Sequence, residues 1–208
     1  MSRKVIILDY GIGNVRSIAN AVIKVGGNPV LTNQESEIVN ADAVILPGVG
    51  AFQSGMNNLH NESLIASIQS YLTKGRPFMG ICLGMQMLLD NSEEFGNTEG
   101  LGLIKGSVKR LPVTNEKLPH VSWNELIVPE GVNWQDSPLS GINMDDNFYF
   151  VHTFAAYPES PENILSFTGY GDVKFCSSVK KDNIYGFQFH PEKSGEAGLK
   201  ILKNFMND

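Results

Sequence analysis

The sequence predicts an α/β fold: a single-domain open mixed sheet, mostly parallel in its N-terminal half and flanked by helices. Three observations point there. Short apolar runs alternate with helical patterns through the first half. From about Gly96 the pattern changes to short strands separated by Gly, Pro and Asn, which reads as more antiparallel. The 208 residues, 42% of them hydrophobic, suffice for one substantial core and leave no room for a second of full size. Residues 1–208 are therefore read as one domain.

In chain order, Val5 to Leu8 is a first strand, and the turn Gly11-Ile12-Gly13-Asn14 leads into a helix near Ser17 to Val25. Pro29 to Leu31 is a second strand, and Ala43 to Leu46 a third, ended by Pro47 and Gly48. Leu64, Ile65, Ile68, Tyr71 and Leu72 recur at close to helical spacing, which predicts one helix from about Leu59 to Thr73. Pro77 to Ile81 is the next buried strand. Gly106 to Leu111, Asn147 to Val151 and Ile184 to Phe189 are strands of the second half, and Ala197 to Phe205 is an amphipathic helix that closes the sheet.

Charge and composition exclude several classes. The net charge of −6 lacks the clustered Lys and Arg that a phosphate backbone requires, so no nucleic acid is expected. The basic start Met1-Ser2-Arg3-Lys4 precedes only four apolar residues, too few for a signal peptide, and no run approaches the roughly 18 of a membrane span. A cytoplasmic protein with no membrane contact is expected. Cys82 and Cys176 are expected to be free thiols. With no CxxC pair and no ligand spacing among His60, His120, His152 and His190, neither metal nor cofactor is expected.

Cys82 stands between Gly80 and Gly84, where an apolar strand runs into a helix-like stretch continuing through Met87 and Leu89. This is the layout of a nucleophile elbow, whose crowding removes side chains two residues either side of the nucleophile. The helix N-terminus there favours the thiolate. Alone, Cys82 reads better as a buried core cysteine; a base elsewhere turns the balance. The strand Gly186-Phe187-Gln188-Phe189-His190 directs Phe187 and Phe189 to the core and places Gln188 and His190 on the other side. Pro191 ends the strand, so Glu192 can fold back on the imidazole, fix its tautomer and stabilise its cation. Cys82, His190 and Glu192 are thus nucleophile, base and orienter. The other histidines are given structural or partner-facing roles. Candidate oxyanion donors are the N–H of Leu83 and the turn Pro47-Gly48-Val49-Gly50, at Val49 and Gly50; that turn reads equally as an ordinary strand ending until Cys82 is considered.

These residues resemble the triad-type (class I) glutamine amidotransferases, and within them the glutaminase subunits of imidazole glycerol phosphate synthases. Gly80-x-Cys82-x-Gly84-x-Gln86 and His190-Pro191-Glu192 carry the general pattern; the segments 9–17, 47–50 and 189–205 narrow it. The similarity covers essentially the whole chain. It implies that Cys82 forms a glutamyl thioester and releases ammonia, that Gln86 and the backbone around Val49 and Gly50 contact the glutamine, that the segment Val151-His152-Thr153-Phe154 lines the substrate's amino-acid end, and that Trp123 and Asn124 face a synthase. It further implies a heterodimer with a (β/α)8-barrel cyclase that uses the ammonia to make imidazole glycerol phosphate and aminoimidazole carboxamide ribotide in histidine biosynthesis. Ser122 stands where the family usually has glycine, and Thr153-Phe154 replaces its commoner serine-tyrosine pair. Other readings stay open: a paralogue serving another acceptor such as a sugar-amidating synthase, a stand-alone thiol hydrolase, or a silent scaffold.

Overall fold

The computed structural model describes residues 3–207; Met1 and Ser2, half of the basic start, and Asp208 lie outside the described residues. The first half runs β1 (Lys4–Leu8), α1 (Val15–Lys24), β2 (Asn28–Thr32), α2 (Glu35–Val39), β3 (Ala43–Leu46), α3 (Phe52–Asn61), α4 (Leu64–Leu72), β4 (Phe78–Ile81) and the single turn α5 (Leu83–Gln86). The second half runs β5 (Asn91–Ser92), β6 (Thr98–Glu99), β7 (Gly106–Arg110), β8 (His120–Glu125), β9 (Asn147–His152), β10 (Phe154–Pro158), β11 (Ile164–Tyr170), β12 (Val173–Lys181), β13 (Ile184–Phe187), a 3-10 turn (Pro191–Lys193) and α6 (Gly195–Asn207).

Eleven strands form one mixed sheet in the order β2-β1-β3-β4-β13-β12-β10-β7-β5-β6, with β11 also paired to β12. Its strands β2, β1, β3, β4 and β13 are mutually parallel. Period-two alternation splits the central strands between two cores. Val5, Ile7, Ala43 and Ile45 pack with Ile18 and Val22 of α1 and Ile201 and Leu202 of α6. Ile6, Leu8, Val44 and Leu46 pack with Ile38, Leu59 and Ile68 on the opposite face. Among the described residues no helix is long and apolar enough to cross a membrane.

Three differences from expectation have physical causes. The helix expected from Leu59 to Thr73 is broken at Ser63, which takes φ +55. Leu59 and Leu64 would lie about 140° apart on one continuous helix; the break buries both in the same core. The second half is not uniformly antiparallel, because β13 crosses back to lie parallel to β4, Gly186 opposite Gly80. Finally, β8 and β9 form a separate antiparallel pair, His120 opposite His152, whose Phe148 and Phe150 join the α1/α6 core.

Candidate active site

The elbow forms where β4 ends. Cys82 adopts φ +55 and ψ −110, a conformation costly for a non-glycine residue, and its N–H donates to the Phe187 carbonyl at 2.7 Å. Glycine is required on both sides. A Cβ on Gly80 would sit 2.5 Å from the Gly84 carbonyl oxygen, and one on Gly84 would sit 2.0 Å from the Leu46 carbonyl oxygen. The helix that follows is only one turn, Leu83–Gln86, so it supplies less dipole at the sulfur than the longer helix expected. Cys82 is 6% exposed, with its Sγ 3.9 Å from the Val151 carbonyl oxygen and 3.8 Å from Gln188 Nε2.

Parallel pairing of β13 with β4 carries His190 to the same sheet end. Pro191 opens the 3-10 turn Pro191–Lys193, held by Lys193 N–H to the His190 carbonyl at 3.0 Å. The Ser194 hydroxyl donates to that same carbonyl at 2.7 Å and accepts from the Tyr149 N–H at 3.0 Å, tying the turn to β9. Gly198 lets α6 seat directly on it, since a Cβ there would meet the Pro191 oxygen at 2.0 Å. Glu192 folds back as expected, and His190 Nδ1–H donates to its Oε1 at 2.9 Å, the two side chains being 2% and 1% exposed. Burial alone would depress the His190 pKa, but the Cys82 sulfur and the Glu192 carboxylate outweigh it and hold it up at about 9. Nε2 of His190 is buried and has no hydrogen-bond partner among the described residues.

The turn Pro47-Gly48-Val49-Gly50, expected to supply oxyanion donors, is packed from both sides. Gly48 lies against the elbow, where a Cβ would meet the Gly84 nitrogen and Leu83 Cβ at 2.7 Å. Behind it, the buried Tyr10 hydroxyl donates to the Pro47 carbonyl, and Gly13 abuts the Pro47 ring. Burial and then the Cys82 charge raise the Tyr10 pKa, so the hydroxyl keeps its proton. Val49 is 42% exposed and Gly50 has open space where a Cβ would be.

A cavity of about 360 Å³ joins these parts, and Val49, Gly50, Cys82, Leu83, Gln86, Thr153, Phe154 and His190 line it. Every residue predicted for nucleophile, base, oxyanion and substrate contact borders this space, save Glu192, which stands behind His190. Trp123 and Asn124 do not; Trp123, 53% exposed, lies with Asn124 in a separate shallow groove near Ile127 and Gly169.

Two residues without a role in the sequence reading, Glu94 and Gln188, belong here, together with His152. Glu94 lines the cavity and accepts the Phe52 N–H at 2.8 Å; no spacing links it to Cys82. His152, read from its own surroundings as structural or partner-facing and by the resemblance as part of the segment at the substrate's amino-acid end, lines it too. Its Nδ1–H donates to the Phe154 carbonyl at 2.8 Å, its Nε2 meets His120 Nδ1 at 3.1 Å, and burial pulls its pKa down to about 3. Gln188 is fully buried beside the sulfur; strand alternation alone had placed it on the right face. Among the described residues no cluster of three or more His, Cys, Asp or Glu could hold a metal.

An elbow cysteine, a carboxylate-backed histidine and a glycine-rich turn at one end of a parallel sheet define a thiol-dependent acyl-transfer enzyme. The family model described as glutamine amidotransferase class-I matches residues 6–208, and the chain belongs to that family. It is 45% identical over 206 residues to imidazole glycerol phosphate synthase subunit HisH 1 of Legionella pneumophila (strain Lens), spanning 96% of this chain and 97% of that one. Likeness to the HisH subunit of Lactococcus lactis is 45% over 208 residues, 99% of each chain, and to that of Methanothermobacter thermautotrophicus 47% over 200 residues, 96% of each. Among solved structures, PurLQS from Thermotoga maritima superposes with a TM-score of 0.74 at 21% identity, covering 100% of this chain and 99% of that one, a likeness of fold.

Proposed function

We propose that this chain is the glutaminase subunit of an imidazole glycerol phosphate synthase in histidine biosynthesis. It hydrolyses glutamine to glutamate and ammonia through a thioester on Cys82. The ammonia passes to a (β/α)8-barrel synthase subunit, which makes imidazole glycerol phosphate and aminoimidazole carboxamide ribotide, in a cytoplasmic heterodimer. One observation carries the reading: the Cys82 and His190 side chains converge on one cavity, with Glu192 behind His190, in a chain matching subunits of that name over nearly its full length.

The chemistry follows from the positions of the groups. The Cys82 thiolate attacks the side-chain amide carbon of glutamine, and the resulting oxyanion faces the Leu83 N–H and the Val49-Gly50 turn. His190, protonated and steadied by Glu192, gives its Nε2 proton to the departing nitrogen, so the C–N bond breaks and ammonia leaves a glutamyl thioester. Water, deprotonated by the now neutral His190, adds to the thioester, and glutamate departs as the sulfur regains its starting state. Gly50, Gln86, Thr153 and Phe154 hold the substrate, and the Glu94 carboxylate complements its α-ammonium end. Ammonia released to bulk water would be protonated and lose its nucleophilicity, so a docked synthase should receive it, with Trp123 and Asn124 on the docking face.

The test is Cys82→Ala assayed in complex with the cyclase. Glutamine-dependent synthesis should vanish while synthesis from added ammonium salt persists; loss of both, or of neither, would contradict the assignment.

A further inference from the structure

We propose that Gln188 is a further catalytic residue: its side-chain amide donates to the Cys82 sulfur and stabilises the thiolate, aimed there by hydrogen bonds that start at the Phe154 carbonyl. The inference rests on Cys82 being the nucleophile.

Counting hydrogens sets the direction. A backbone carbonyl can only accept, so the Gln86 group that meets the Phe154 oxygen at 2.9 Å must be its NH2. The same NH2 donates to the Gln188 side-chain oxygen at 3.0 Å. The NH2 of Gln188 is thereby turned to the Cys82 Sγ, 3.8 Å away. Flipping Gln86 would set its oxygen against two others, and flipping Gln188 would set nitrogen against nitrogen. With both residues buried, water does not relieve either arrangement.

Sheet register supplies the placement. Phe187 pairs with Ile81, so the next residues along the two parallel strands are Gln188 and Cys82. The Cys82 N–H is held by the Phe187 carbonyl at 2.7 Å and the Gln188 N–H by the Ser177 carbonyl at 2.9 Å, so neither backbone can withdraw.

The sulfur therefore meets opposed groups. The Val151 carbonyl, 3.9 Å away, can only receive S–H and favours the thiol. The Gln188 NH2 can only donate, and a donor gains more from an anion than from a neutral sulfur. The one-turn α5 offers little dipole at this point, and the aimed amide takes over part of that work. Gln86, with its NH2 engaged twice, is left to present its oxygen to the cavity as an acceptor for a substrate N–H.

The experiment is the pH dependence of Cys82 carboxamidomethylation by iodoacetamide, read by peptide mapping on the full-length chain, with glutaminase kcat and KM measured alongside in the complex. Cys176 is buried and burial pushes its thiol pKa up, so it does not confuse the reading. Gln188→Met keeps the length but removes the donor; the midpoint of the alkylation profile should rise by about one pH unit. The kcat should fall about tenfold, with KM within about twofold. Gln86→Met keeps Gln188 but removes what aims it, should give a smaller shift of the same sign, and carries the test if the first variant does not fold. Profiles that overlay the wild type in the folded variants would overturn the inference while leaving the triad intact. Full glutaminase activity in Cys82→Ala would instead remove the underlying reading.

Discussion

Gly84→Ala probes the elbow with a perturbation whose size can be read off the structure. The added Cβ would lie 2.0 Å from the Leu46 carbonyl oxygen and 3.0 Å from its carbon. A non-bonded carbon–oxygen contact needs about 3.3 Å, so the two segments must separate by about 1.3 Å. Both contacts are backbone, and no side-chain rotation can absorb the shift. Overpacking of this kind costs about 1–3 kcal/mol, which in a domain of this size lowers the melting temperature by roughly 2–12 °C. The catalytic cost should be larger in proportion. Leu46 immediately precedes the oxyanion turn, and Gly84 lies two residues beyond Cys82, so donors and nucleophile move apart; about 1 Å of misplacement is worth about a hundredfold in rate. Glutaminase kcat in the complex and the melting midpoint are the assays. Gly26→Ala is the control: Gly26 has φ +89 and open space around a Cβ, so strain of about 1–2 kcal/mol should lower stability and leave kcat unchanged. A Gly84→Ala enzyme with wild-type kcat would refute the idea that β3 and the elbow are held in contact to place the oxyanion donors.

Glu192→Gln should lower glutaminase kcat by about 10²–10⁴ and spare ammonia-driven synthesis, because it removes the support of the imidazolium and keeps the nucleophile; an unchanged kcat would strip Glu192 of its role. Acid should destabilise the protein through His152: its pKa falls from 6.5 unfolded to about 3 folded, so its contribution is whole above pH 6.5 and is lost at about 1.4 kcal/mol per unit below it, or about 2 kcal/mol by pH 5. Urea midpoints at pH 6.5 and 5 measure this, and equal midpoints would contradict it. His190 does not blur that window, since with a folded pKa of about 9 its contribution is full below pH 6.5 and is lost as pH rises from there through about 9. Tyr10→Phe leaves the Pro47 carbonyl without its hydroxyl donor; stability should drop by about 1–2 kcal/mol and kcat by about tenfold through the loosened turn, while a melting shift with no change in kcat would make Tyr10 a packing residue only.

Much of the site was legible in the chain because local chemistry demands it. The glycines around Cys82 answer to backbone crowding within a few residues, and Pro191 compels the turn that returns Glu192 to His190. Alternation of Phe187 and Phe189 with Gln188 and His190 follows from the pleat. Each is a short-range consequence of residue type. The break at Ser63 was not legible, since Leu59 through Leu72 keeps a nearly helical apolar spacing; only the shape of the core beneath α3 and α4 requires both leucines on one side.

What residue order determined by itself was the kind of parts present: an elbow with its cysteine, a histidine with its carboxylate, a glycine turn after a buried strand, and strands and helices enough for one α/β sheet. What tertiary structure alone decided was their mutual distance. Returning β13 to the parallel side of β4 sets Gln188 beside Cys82 and brings His190 to the same cavity as the sulfur, and the β8–β9 pair supplies the wall that includes His152. Strand order and register depend on which apolar faces bury each other across more than a hundred residues, and that information is shared among all the packing partners, with no single motif holding it.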